Sequence, residues 1–221
     1  MKAVIFDLDG TLVDSMGIWE DVDKKFLNSR SLDVPEGLFD SIPQGNSFSG
    51  MAQYFKERFS LKESIEEIMQ EWTNSVYEFY KSKISLKPGA LNTLNFLRDN
   101  GIPIAIGTSN SQELAEVVLK SNNIIEYFGH IQTGCAEIKG KPFPDIYLNA
   151  AKAIEVLPEY SIVVEDTIAG VRAGKNAGMF TIGIYDQWAK REHEAMKTEA
   201  DLFLTNHFEL LEYFQLIFQK K

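Results

Sequence analysis

Asp7 and Asp9 stand two residues apart at the end of the apolar run Ala3-Val4-Ile5-Phe6, and Gly10 and Thr11 follow. On an extended chain, residues i and i+2 point to the same side. A buried strand ending here would present both carboxylates at one sheet edge. Two like charges this close are unfavourable unless a cation lies between them, so the pair implies a divalent metal. Mg²⁺ suits an oxygen-only donor set. Gly10 allows a sharp departure from the strand, and Thr11 is expected to bond the turn.

Three further segments carry reactive types. Thr108-Ser109-Asn110 follows the run Ile104–Gly107; its hydroxyls read either as a helix N-cap or as holders of a phosphate oxygen. Lys141 sits beside Pro142 and Pro144, where a stiff segment would hold an ammonium against developing phosphoryl charge. Lys139 reads as a solvated loop residue and Asp145 as the first residue of a helix. Val163-Val164-Glu165-Asp166 again ends an apolar run in carboxylates, which either extend the metal shell or complement a helix dipole. Together these are a carboxylate pair, a hydroxyl, an ammonium and a second carboxylate pair. They are the parts for phosphoryl transfer through an aspartyl-phosphate.

The elements that must position these groups follow from periodicity. Strands are expected at 3–6, Pro103–Gly107, His130–Thr133, Ser161–Val164 and Met179–Ile184. Helices are expected at about 90–100, 111–122, 144–155, 167–177 and His207–Phe218. Strand and helix alternating in this way mean βαβ units and a parallel sheet. From Ser15 to about Ile84 the alternation stops. Trp19, Val22 and Phe26 fall at helical spacing, and so do Leu61, Ile65, Ile68, Trp72, Val76 and Phe79. The expected organisation is therefore an α/β core of residues 1–14 and 85–221, with a helical cap of residues 15–84. The hinges are placed at Asp14-Ser15 and Ser82–Pro88.

Composition bounds the partners. The 221 residues carry 22 Lys and Arg against 32 Asp and Glu, a net charge of −10, which disfavours nucleic-acid binding. The single cysteine, Cys135, allows no intrachain disulfide and is given no role. No apolar run nears the roughly 18 residues of a membrane span. With no signal-like leader, a cytoplasmic protein that does not engage membranes is expected. A monomer is the simplest state, and a dimer is compatible. The three histidines, His130, His193 and His207, fall outside every motif.

The whole set resembles the haloacid dehalogenase superfamily of phosphotransferases. The segments Gly140–Asp145 and Val164–Gly170, with a helical insert after the first motif, resemble its β-phosphoglucomutase-like branch. The resemblance implies a Rossmann-like parallel sheet flanked by helices, with a small α-helical cap. It implies Asp7 as nucleophile and Asp9 as general acid and base. Thr108 and Lys141 would hold the transferring oxygens, Ser109 and Asn110 would add phosphate contacts, and Gly45 would lie at the substrate. Mg²⁺ would be held by Asp7, the Asp9 carbonyl and Asp166, with Glu165 beside it or reaching through water.

The cap departs from the mutase pattern. Trp19 stands where the mutases carry a histidine, and Gln44-Gly45-Asn46-Ser47-Phe48 lacks their cations. Lys24, Lys25, Arg30, Lys56 and Arg58 remain as cap cations, and Trp19, Phe48 and Tyr54 as pocket or packing residues. The expectation is a phosphatase of a small phosphorylated metabolite, a sugar phosphate first. A sugar-phosphate mutase is the alternative, and an inactive regulatory relative is a third reading.

Overall fold

The computed structural model describes residues 1–38, 47–134 and 138–218; Gly45 and Cys135 lie outside them. Strand β1 (Ala3–Phe6) is buried along its whole length, as its four apolar residues require. The chain then forms α1 (Met16–Asn28), α2 (Phe48–Arg58) and α3 (Ile65–Ser82) before α4 (Ala90–Asp99) returns it to the sheet. From there β2 (Ile104–Thr108), α5 (Gln112–Ser121), β3 (His130–Thr133), α6 (Asp145–Ala153), β4 (Ser161–Glu165), α7 (Ile168–Asn176) and β5 (Phe180–Ile184) alternate. The chain continues through α8 (His193–Glu199), β6 (Leu202–Leu204) and α9 (His207–Ile217).

The six strands lie in the order β3-β2-β1-β4-β5-β6, and every pairing is parallel. Such a sheet must be covered on both faces. Val4 and Phe6 enter one apolar cluster with Leu94, Leu114 and Phe214. Ile5 enters the other with Ala105, Val163, Tyr147 and Ala173. The architecture is thus the expected α/β sheet flanked by helices, with a helical cap after the first strand. The chain runs from β1 out to β3 and returns on the other side of β1 as β4. That reversal opens a crevice at the strands' C-terminal ends, where ligands bind in open α/β sheets.

The cap helices bury aromatic faces against one another. Phe26, Phe55 and Trp72 meet at ring separations of 5.1–6.2 Å, and Phe48 lies 5.8 Å from both Trp19 and Trp72. Helix α3 starts on a capping box, with Ser64 and Glu67 satisfying each other's backbone N–H. The entry and exit segments of the cap run side by side, with Asp14 N donating to Ser85 O and Lys87 N to Leu12 O.

Two expectations are corrected by the fold. The apolar face of α3 is Ile68, Trp72, Val76 and Tyr80. Leu61 precedes the helix, and Phe79 is 47% exposed. Steps of four residues carry the buried stripe to Tyr80, one position past Phe79. Strand β6 was also not anticipated: three half-buried residues are too few to show a period.

Candidate active site

The C-terminal ends of β1, β2 and β4 converge on a buried charge cluster. Asp7 follows β1, and its N–H continues the ladder to Val164 O at 2.9 Å. Glu165 ends β4, so each carboxylate sits one residue past the paired Phe6 and Val164. The Lys141 ammonium donates to Asp7 Oδ1 and to Glu165 Oε1, both at 2.5 Å. All three side chains are buried. Glu165 also takes Tyr147 OH at 2.7 Å, and its second oxygen takes the Thr167 N–H and hydroxyl at 3.0 Å each. Four donors therefore fix Glu165, and Glu165 in turn fixes Lys141. Among the described residues only Lys141 donates to Asp7, which leaves Oδ2 free of protein donors.

Asp166 lies beside them, and Thr11 Oγ1 donates to its Oδ1 at 2.8 Å. The Thr11 hydroxyl thus holds a carboxylate rather than the turn. Gly10 has φ +82°, and a Cβ there would lie 2.2 Å from Asp166 Oδ2. Only a glycine fits both the turn and the close approach. His207 Nε2 donates to Thr11 O at 2.8 Å. Burial pulls the imidazole pKa down to about 4, so it stays neutral and serves as a brace.

Asp7, Glu165 and Asp166 can each offer an oxygen, and these atoms lie within 4.8 Å of one another. Three carboxylates face one ammonium, an excess of two negative charges when all three are ionised. Burial, against the pull of Lys141, pushes Asp7 up to about 8. Burial, with Glu165 and Asp7 nearby, raises Asp166 well above the usual carboxylate range. For Lys141 the ion pairs with Asp7 and Glu165 outweigh burial and keep it charged. A buried acidic cluster with this excess fits a bound cation, whose charge would offset the repulsion.

Asp9, half-buried, faces the cap. Its Oδ1 accepts from Ser15 Oγ and from Tyr80 OH, both at 2.5 Å, and its Oδ2 accepts from Asn110 Nδ2 at 2.9 Å. Tyr80 OH also accepts from Trp19 Nε1 at 3.0 Å and Asn110 Nδ2 at 3.2 Å. Thr108, the last residue of β2, is buried and accepts the Asn110 N–H at 3.1 Å. Ser109 gives its carbonyl to Phe48 N at 2.9 Å, which docks the start of α2 on the core.

Sequence reasoning therefore named Asp7, Asp9, Thr108, Asn110, Lys141, Glu165 and Asp166, and the structure gathers these at the C-terminal ends of β1, β2 and β4. It missed Tyr80, Ser15 and Tyr147. The signal for Tyr80 was a one-position shift along α3. Ser15 reads as a hinge, and Tyr147 lies unmarked within the helix expected at about 144–155. The other singled-out residues lie elsewhere. Lys139 is exposed, 4.8 Å from the Phe143 ring, and Asp145 opens α6. Tyr54 packs 6.0 Å from Phe55, and His193 Nε2 donates to Asp186 O at 3.0 Å.

Comparison with known proteins gives consistent results. The family profile described as haloacid dehalogenase-like hydrolase matches residues 4–184. The phosphorylated carbohydrates phosphatase of Thermotoga maritima is 29% identical, over 81% of this chain and 82% of its own length. The β-phosphoglucomutase of Bacillus subtilis is 31% identical, over 83% of each chain. The crystal structure of CbbY from Rhodobacter sphaeroides in complex with phosphate superposes with a TM-score of 0.84. It covers 95% of this chain and 96% of its own, at 24% identity, and so speaks to the fold alone. No helix among the described residues is long and apolar enough to cross a membrane.

Proposed function

The chain belongs to the haloacid dehalogenase-like hydrolases, and from that premise we propose that it is a Mg²⁺-dependent phosphatase of a small phosphorylated metabolite, a sugar phosphate first. In this reading Asp7 Oδ2 attacks phosphorus. The bond from phosphorus to the ester oxygen breaks, and Asp9 gives that oxygen its proton. Water then attacks the aspartyl-phosphate, Asp9 takes a proton from that water, and the bond from Asp7 to phosphorus breaks to release phosphate. Lys141 and the Thr108 hydroxyl hold the transferring oxygens, and Ser109 and Asn110 stand at the same strand end. Glu165, with its four donors, acts through Lys141.

Mg²⁺ would be held by Asp7, Asp166 and the Asp9 carbonyl, with Glu165 alongside. Bound there, it supplies the positive charge that lets one anion approach another.

The observation that carries hydrolysis over transfer to a second sugar is the charge of the cap. No Lys, Arg or His occurs in the cap sequence from Ser31 to Phe55. Three of the described cap cations are engaged elsewhere. Lys24 pairs with Glu20. Arg30 pairs with Glu63 and Glu71 and lies over Phe26. Lys56 donates to the carbonyls of Leu61 and Glu63. A bisphosphate intermediate needs cations for its second phosphate, and this cap favours a monophosphate with a neutral body. The relatives named as phosphatase and as mutase are equally distant, so identity does not decide the point.

The test is phosphate release from a panel of sugar phosphates and nucleotides, with Mg²⁺ and with EDTA. The panel includes β-glucose 1-phosphate with and without a bisphosphate primer. Metal-dependent phosphate release that disappears in Asp7→Asn is the expected result. Primer-dependent conversion to glucose 6-phosphate without free phosphate would establish the mutase instead.

A further inference from the structure

We propose that Tyr80, at the end of the last cap helix, is a positioning residue that sets the orientation of the Asp9 carboxylate. The inference rests on the proton-transfer role given to Asp9 above.

An indole N–H can only donate, and so can a side-chain amide NH₂. Trp19 Nε1 and Asn110 Nδ2 both end on Tyr80 OH, at 3.0 and 3.2 Å. They take up the acceptor capacity of the phenolic oxygen. Its one proton is then committed to Asp9 Oδ1, 2.5 Å away. The Tyr80 side chain cannot rotate to another partner, because it is fully buried and edge-on to Trp19 at 6.1 Å. Ser121 Oγ of α5 donates to the Tyr80 carbonyl at 3.2 Å, so the residue is tied to the core through its backbone as well.

Tyr80 thus joins a cap donor (Trp19), a core donor (Asn110) and Asp9. Ser15 and Asn110 also hold Asp9. Without the phenol, Oδ1 keeps only a serine hydroxyl, which is free to turn. A carboxylate that must face the ester oxygen in one step and water in the next depends on such fixation, since a displacement of about 1 Å can cost roughly 10²-fold in rate.

The test is Tyr80→Phe, which removes the hydroxyl and keeps the ring. It is assayed on the best alkyl monophosphate of the panel and on p-nitrophenyl phosphate. For the alkyl ester, kcat is expected to fall about 10–100-fold with KM within about twofold, since a general acid and base contributes about 10²–10⁴-fold. Nitrophenolate leaves without a donated proton. The first turnover on p-nitrophenyl phosphate should therefore keep its rate and give a stoichiometric burst, followed by slow steady-state release as water attack waits on Asp9. Trp19→Phe removes one donor to the phenol and should lower kcat less, in the same direction; it carries the test if Tyr80→Phe does not fold. An unchanged kcat, or a raised KM at unchanged kcat, would overturn the inference and make Tyr80 a pocket wall. A wild-type protein that turns over neither ester would overturn the phosphatase reading, and this inference with it.

Discussion

Gly170 leaves open the space that the Glu165 carboxylate fills: a Cβ on Gly170 would lie 1.8 Å from Glu165 Cδ and Oε1. Real side chains never approach so closely, so the glycine is what lets Glu165 turn back over the first turn of α7. There it receives Thr167 and Tyr147 and holds Lys141. Gly170→Ala is expected to push Glu165 aside and release one of the two anchors of Lys141. Turnover should drop about 10²-fold, as for other displacements near 1 Å. The measurement is kcat on the best panel substrate, with circular dichroism to establish that the sheet is retained. Wild-type kcat in a folded Gly170→Ala protein would mean that Lys141 does not need Glu165.

Divalent metal should stabilise the fold. Fully ionised, the cluster of Asp7, Glu165 and Asp166 carries two more negative charges than Lys141 offsets. A ligand present at 100 times its Kd adds about 2.7 kcal/mol. In a domain of this size that corresponds to a Tm rise of roughly 5–10 °C. Thermal melts with EDTA and with excess Mg²⁺ read the effect directly. The rise should be largely lost in Asp166→Asn, which keeps the shape and removes one ligand charge. Equal melting temperatures for the wild type in EDTA and Mg²⁺ would argue against a metal centre here.

The cap carries a pH-dependent weakness at Asp23 of α1. Burial raises its carboxyl from 3.8 to about 7. The unfolded chain gives up this proton near 3.8, while the folded chain keeps it up to about 7. The contribution to stability is therefore complete below 3.8 and is lost as pH rises through 7. The loss amounts to at most about 4 kcal/mol. Asp23→Asn removes the ionisation, so the variant should melt several degrees above wild type at pH 8 and close to it at pH 4. Denaturant titrations at the two pH values provide the check. The same gain at both would trace the effect to packing rather than to charge.

Much of the site was legible in the sequence because its parts lie at strand ends. A short apolar run followed by Asp7 and Asp9, a second ending in Thr108 and a third ending in Glu165 and Asp166 each fix one edge of the crevice. Parallel register then brings those ends together without further information, since each βαβ unit returns the chain in the same direction. The cap was legible as an interruption of that alternation.

Tertiary structure alone decided what these groups touch. Asp7 and Asp9 are alike in the sequence, yet one is buried against Lys141 and the other faces Ser15, Tyr80 and Asn110. Glu165 and Asp166 are adjacent, yet the first is saturated by four donors while, among the described residues, Thr11 alone donates to the second. Tyr80 was invisible as a functional residue for a simple reason. Its partners Asp9 and Asn110 lie 71 and 30 residues away in the chain. Periodicity reports which way a side chain faces along its own helix, but not what another part of the chain has brought to meet it.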